Sequence, residues 1–222
     1  MDPPSSHGAG TREQLLAAAA EVFAERGFRD ATVREICGRA GANVAAVNYH
    51  FRDKDALYAA VLGQSLGAAL RRFPPTLDVP DTAAAAVRLE AFIRSFLHRV
   101  FDPDASARHA RLMLREMVEP TGALDGVVRD HIAPLAAGLL AILRELLGPR
   151  SPGEVLRLAF NSVVAQVLFY AHCRPVLERL QPGAPFGPEA VPALAAHITR
   201  FSLAGLVALR PPPASRTKPR RR

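Results

Sequence analysis

The sequence predicts an all-α fold of about nine helices, and three observations carry that expectation. Apolar residues recur at steps of three and four along nearly the whole of the 222 residues. Alternation of period two is absent, as are β-branched runs closed by hairpin turns. The apolar runs are punctuated by helix signals: Thr, Asn or Asp before them, Gly or Pro after them. With 49% hydrophobic and 22% charged residues the chain has ample material for a globular core. No internal repeat is visible.

The elements follow in order. Residues 1–10 are rich in Pro, Ser and Gly and read as a disordered arm. Thr11 with Gln14 has the form of a capping box, in which hydroxyl and amide each satisfy an orphan backbone N–H. Leu15, Leu16, Ala19, Val22 and Phe23 then mark a helix that Gly27 should end. Thr32 with Glu35 repeats the capping box and opens a short helix with Val33, Ile36, Cys37 and Ala40, stopped at Gly41. Asn43 caps a helix to His50, and Asp53 caps a longer one carrying Ala56, Leu57, Ala60, Val61 and Leu62. Pro74, Pro75 and Pro80 break the chain. Helices are then expected over 81–101, 106–118, 121–147 (kinked or broken by Pro134), 152–171 and 188–209.

Charge is unevenly placed. The net +7 sits mostly in residues 210–222, where six basic side chains face no acidic one. This tail reads first as a solvated end, second as a non-specific phosphate attractor and last as a membrane-surface contact, since no amphipathic helix adjoins it. Residues 26–54 hold Arg26, Arg29, Arg34, Arg39, Arg52 and Lys54 against Asp30, Glu35 and Asp53, a local excess of basic charge. No uncharged apolar run of ~20 residues is evident, so no membrane span or membrane partner is expected. The first residues lack the basic and apolar regions of a signal peptide. Cys37 and Cys173 are too few for a disulfide scaffold and stand at no metal-ligand spacing. They are expected as free thiols in a reducing cytoplasm. Glycine-rich phosphate loops and nucleophile motifs are missing, which argues against an enzyme.

Function concentrates in residues 32–54. Two short helices separated by the three-residue turn 41–43 have the spacing of a helix-turn-helix. Gly41 supplies a positive φ for the turn. Ile36, Ala40, Val44 and Val47 are expected to brace one helix on the other. Ala45 and Ala46 keep the second helix slim enough for a major groove ~12 Å wide, to which Asn43, Asn48, Tyr49 and His50 offer polar groups. Thr32, Arg34, Lys54 and the N–H groups opening the Thr32 helix are candidate phosphate clamps.

The run TREQLLAAAAEVFAERGFRDATVREICGRAGANVAAVNYHFRDKDALYAAVL, about residues 11–62, resembles the DNA-binding domain of the TetR/AcrR family of bacterial regulators. The resemblance implies phosphate contacts at Thr32 and Lys54. It places Asn43, Val44, Ala45, Asn48, Tyr49 and His50 on or beside the DNA face. One departure is that many relatives carry Tyr at the position of Asn48, whereas here it follows at Tyr49. GANVAAVNYHF is also similar to the CecR (YbiH) branch of the family, as are RLMLREMVEPTGALD and VLFYAHCRPVLERL further on.

The family implies a homodimer on double-stranded DNA with a near-palindromic operator, and an effector-binding and dimerisation domain over 63–209. The last two long helices would pair in a four-helix bundle. No cofactor is expected beyond an unidentified small-molecule effector, apolar or amphipathic. Residues 53–72 would be the lever between the halves, and the expected action is repression relieved by the effector. Phe92, Phe96, Met113, Met117, Phe160, Phe169 and Tyr170 are candidate pocket residues. His98, Arg115, Glu116, His131, Asn161 and Gln166 are polar groups embedded in apolar stripes, with Asn161 and Gln166 also able to set the register of a dimer helix. Two other classes stay open: a helical carrier or enzyme with an incidental N-terminal motif, and an adaptor that binds only protein.

Overall fold

The computed structural model describes residues 6–101 and 105–211. Among these residues there are ten helices and no strand. They are α1 (Ser6–Asp30), α2 (Val33–Ala40), α3 (Val44–Phe51), α4 (Lys54–Arg72), α5 (Ala85–Phe101), α6 (Ala105–Val118), α7 (Ala123–Leu147), α8 (Gly153–His172), α9 (Arg174–Leu180) and α10 (Val191–Ala208). The tenth, unexpected helix is α9, which starts directly after the Cys173 junction with a Pro in its first turn.

The caps mostly behave as the sequence implies. Thr32 Oγ1 accepts from the Glu35 N–H at 3.2 Å, Asn43 Oδ1 from Ala45 at 3.0 Å, and Asp53 Oδ1 from Ala56 at 2.7 Å. The Ala56 N–H holds the Asp53 carboxyl below its ordinary range, with help from Arg52. Gly41 has φ +63° and closes α2 in the left-handed region. Gly27 (φ +81°) bends the chain, but helical turns resume to Asp30.

Four expectations change. Thr11 lies inside α1 rather than at its start, because the helix already runs from Ser6: a cap residue fixes a helix end only where the preceding residues cannot continue the turn. Residues 1–5 of the expected arm and 212–222 of the tail lie outside the described residues. The helix expected from residue 81 starts at Ala85, after turns in which Leu77 and Asp78 take positive φ. Pro134 does not break α7. The helix loosens into a π-type turn over Val128–Ile132 just before it, which accommodates the missing N–H. Last, α7, α8 and the segment Pro188–Ala208 are long and apolar enough to cross a membrane by length and composition. A search for uncharged runs misses them because charged residues interrupt each: Arg129, Asp130, Arg144 and Glu145 in α7, Glu154 and Arg157 in α8, and Glu189 and Arg200 in the last segment.

Packing forms two cores. One unites α1–α4 around Leu15, Val22, Phe23, Ile36, Val47, Leu57 and Leu62, and it also takes in Leu112 from α6 and Val127 from α7. The other unites α5, α7, α8 and α10 around Leu89, Ile93, Leu97, Leu143, Val167 and Ile198. The N-terminal three-helix unit is therefore not self-contained: α6 supplies part of its core.

Candidate DNA interface and effector cavity

The short helix α3 is amphipathic in a way that leaves one side for a partner. Val47 and Phe51, four residues apart, are buried in the first core. Asn43, Val44, Ala45, Asn48 and Tyr49 are exposed, and Tyr49 keeps 85% of its surface open. Tyr49 therefore does not pack on Leu57. Val44 is exposed as well, so the brace between α2 and α3 is made by Ile36 and Val47 without it. His50 is half-buried with its ring edge-on to Tyr49 at 4.9 Å. Eight residues at 1.5 Å give α3 a length of about 12 Å.

Next to it, Thr32 and Arg34 are exposed at the opening turn of α2. Arg34 makes no hydrogen bond or ion pair among the described residues. The other basic groups of this region are engaged. Arg39 grips Glu25 through Nη1 and Nη2 (2.9 and 2.6 Å) and holds that carboxyl below its usual range. Arg26 and Arg39 share Glu35 Oε1. The local positive excess is therefore smaller than the sequence count suggests. Lys54, expected at phosphate, points elsewhere. Its ammonium donates to the carbonyls of Phe28 (2.8 Å), Ala31 (2.9 Å) and Arg29 (3.4 Å) and lies over the Phe28 ring. An ammonium has three donors, so Lys54 is a clip that fastens α4 to the end of α1.

The second site is a cavity of about 550 Å³ between α4, α5, α6, α7 and α8. Phe92, Phe96, Met113, Met117 and Phe160 line it, as the sequence suggests. Leu66, Leu114, Leu135 and Val164 extend the apolar wall. Four basic residues were not foreseen there: Arg99, Arg111, His172 and Arg174. Arg99 had a readable signal, since it continues the stripe Phe92–Phe96 by a further step of three.

The remaining polar candidates sit elsewhere, for identifiable reasons. His98 stacks on Phe73 at the end of α4, with ring centroids 5.1 Å apart. His131 packs against α4 where Gly63 and Gly67 leave room. Tyr170 packs on the second core and against Phe169, which is half exposed. Asn161 is exposed on α8, and Gln166 donates to Ser202 Oγ of α10 at 3.1 Å.

Arg115 and Glu116 bind the N-terminal unit instead. Arg115 Nη2 donates to the Glu25 carbonyl at 3.1 Å and Nη1 approaches that of Phe23 at 3.5 Å. The buried Glu116 accepts from the Tyr58 hydroxyl of α4 at 2.9 Å, and from the Thr121 N–H and hydroxyl at 2.7 and 2.9 Å. Burial and the Glu116 carboxylate push the Tyr58 phenol well above its ordinary value. Helix α6 thus shows Met113, Leu114 and Met117 to the cavity, while Leu112, Arg115 and Glu116 hold the N-terminal unit.

With both sites described, the comparisons with known proteins are informative. Residues 15–61 match the family model for bacterial regulatory proteins of the tetR family. Residues 85–206, more than half of the chain, match that for the C-terminal domain of the HTH-type transcriptional dual regulator CecR. CecR of Shigella flexneri is 27% identical over 172 residues, covering 73% of this chain and 76% of its own. A transcriptional regulator from Pseudomonas aeruginosa PAO1 superposes with a TM-score of 0.67 at 25% identity, covering 90% of this chain and 93% of that one. FadR of Bacillus subtilis, solved in complex with stearoyl-CoA, shares the fold with a TM-score of 0.65 at 19% identity, over 87% and 98% of the two chains. The chain belongs to the TetR family of bacterial transcriptional regulators, in the branch that carries the CecR C-terminal domain.

Proposed function

We propose that this DNA-binding regulator is a cytoplasmic repressor that grips a near-palindromic operator as a homodimer and is released by a small apolar or amphipathic effector. The observation that carries this reading is the double role of α6. A molecule that spreads Met113 and Met117 in the cavity moves the same rigid helix whose Arg115 and Glu116 hold α1 and α4. A state that binds the effector better and mis-spaces the reading helices shifts the population off DNA.

The homodimer is supported by the outer faces of α8 and α10. Leu158, Asn161, Ser162, Ala165 and Phe169 form an exposed stripe at helical spacing on α8. Ala193, His197, Phe201, Ala204 and Ala208 form another on α10. Bonding of Gln166 to Ser202 binds these helices side by side. Their small residues allow close approach of a second pair, which would cover the half-exposed Phe169 and Phe201. Two α3 helices on a twofold axis would then read major-groove faces ~34–36 Å apart. Thr32, Arg34, Asn43, Val44, Ala45, Asn48, Tyr49 and His50 form the proposed DNA face.

The test is a gel-shift assay with DNA flanking the protein's own gene, paired with light scattering. The expected result is a dimer that retards this DNA specifically, with retardation lost in Tyr49→Ala. A monomer, aggregation relieved only by detergent, or no specific retardation would overturn the reading.

A further inference from the structure

Arg99 is buried, with 6% of its surface exposed, at the inner wall of the effector cavity. Its Nη1 donates to the Phe73 carbonyl at 2.8 Å and to Ser95 Oγ. Its guanidinium also lies over the Phe96 ring at 5.4 Å. Nε and Nη2 have no hydrogen-bond partner among the described residues, and no carboxylate there forms an ion pair with this side chain. Burial alone lowers its pKa to about 10, so it remains a cation at neutral pH. A desolvated charge without a counter-charge is costly, and proteins rarely keep one without use. The fork of free N–H donors beside an apolar chamber suits the bidentate capture of a planar or tetrahedral anion.

We infer that Arg99 is the anion-reading residue of this cavity, and that its ligands are apolar chains or scaffolds ending in one compact anionic head, a carboxylate or a phosphate. This deepens the effector reading given above and rests on it. The apolar body fills the space among Phe92, Phe96, Met113 and Met117, and the head displaces the solvent around Nε and Nη2. The same site touches the lever. Phe73 is the residue that closes α4, and its carbonyl is held by both Arg99 and Ser95, while His98 stacks on its ring. An anion that draws the guanidinium toward itself weakens one of the two donors to the end of α4.

Calorimetric titration of the full chain with dodecanoate, dodecyl phosphate and 1-dodecanol tests the assignment without any variant. At least one of the two anions should bind ten-fold or more tightly than the alcohol. In Arg99→Met that preference should fall to within about two-fold, with the affinity for the alcohol unchanged, and Arg99→Lys should restore part of it. Whichever anion binds more tightly identifies the head group. Equal binding of anions and alcohol by the wild type, no binding of any of the three, or a preference that survives in Arg99→Met and disappears in Arg111→Met or Arg174→Met would overturn the assignment. Operator binding separates this from the broader reading: a head-group preference that tracks Arg99 with no release of DNA by the anion supports Arg99 and counts against the effector mechanism.

Discussion

The two halves of the molecule finish their surfaces differently. In the N-terminal unit almost every apolar side chain is inside, and the large hydrophobic residues left exposed there, Val44 and Tyr49, both sit on the reading helix. The C-terminal half leaves Leu158, Phe169, Phe201 and Val207 exposed on its last long helices and keeps an open chamber between the others. On the reading proposed above, the first half meets a polar, rigid duplex, and the second is completed by a second copy on its outside and a ligand within. The contrast also says where each half should be vulnerable.

The largest effect is expected at the outer face. Phe201→Asp combined with Phe169→Asp should leave the monomer folded, as judged by helical circular dichroism. It should abolish dimerisation at micromolar concentration and, with it, specific DNA retention. A variant that still sediments as a dimer would move the interface elsewhere.

Next comes the joint between the halves. Glu116→Ala strips the partner from the buried Tyr58 hydroxyl and the Thr121 N–H, and should cost about 3 kcal/mol in urea unfolding. Tyr58 carries a pH signature as well. Its phenol is raised in the folded protein, so the unfolded chain gives up the proton first. Its contribution is complete below pH ~10 and declines as pH rises beyond it. Tyr58→Phe should flatten the alkaline loss of stability, and an unchanged slope would show that Tyr58 is not its source.

A smaller effect is expected at the other contact of α6. Gly27 has φ +81°, and an added Cβ would lie 2.8 Å from Arg115 Nη1. Gly27→Ala should therefore cost more than the ~1 kcal/mol of an ordinary change at positive φ and loosen the Arg115 clip, both measurable by thermal melting. The smallest is Thr32→Ala, which removes the cap of α2 for about 1 kcal/mol. It should weaken DNA binding by more than that loss of stability explains.

The halves also differ in how far the sequence reveals them. The turn at Gly41 and the caps at Thr32, Asn43 and Asp53 are local devices, each using a side chain within three residues of its target, so they can be read in one dimension. Lys54 misled because its partners, the carbonyls of residues 28–31, are brought to it by tertiary packing. Arg115 and Glu116 looked like pocket residues because an apolar stripe does not announce which neighbour it faces. Met113 and Met117 of the same helix do reach the chamber. Arg99 was passed over for the converse reason: near a helix end an arginine reads as a solvated cation, and only tertiary packing, which brings the Phe73 carbonyl at the end of α4 to it, holds it inside.

That the exposed side of α3 reads duplex DNA in pairs can be checked in one step by selection from a random DNA pool with the full-length protein. The expected result is enrichment of a near-palindrome with half-sites one helical turn apart, bound at physiological salt by the wild type and lost to the non-specific level in Asn48→Ala with Tyr49→Ala. A pool with no enriched sequence, or an enriched site that this double variant binds as tightly as the wild type, would contradict it.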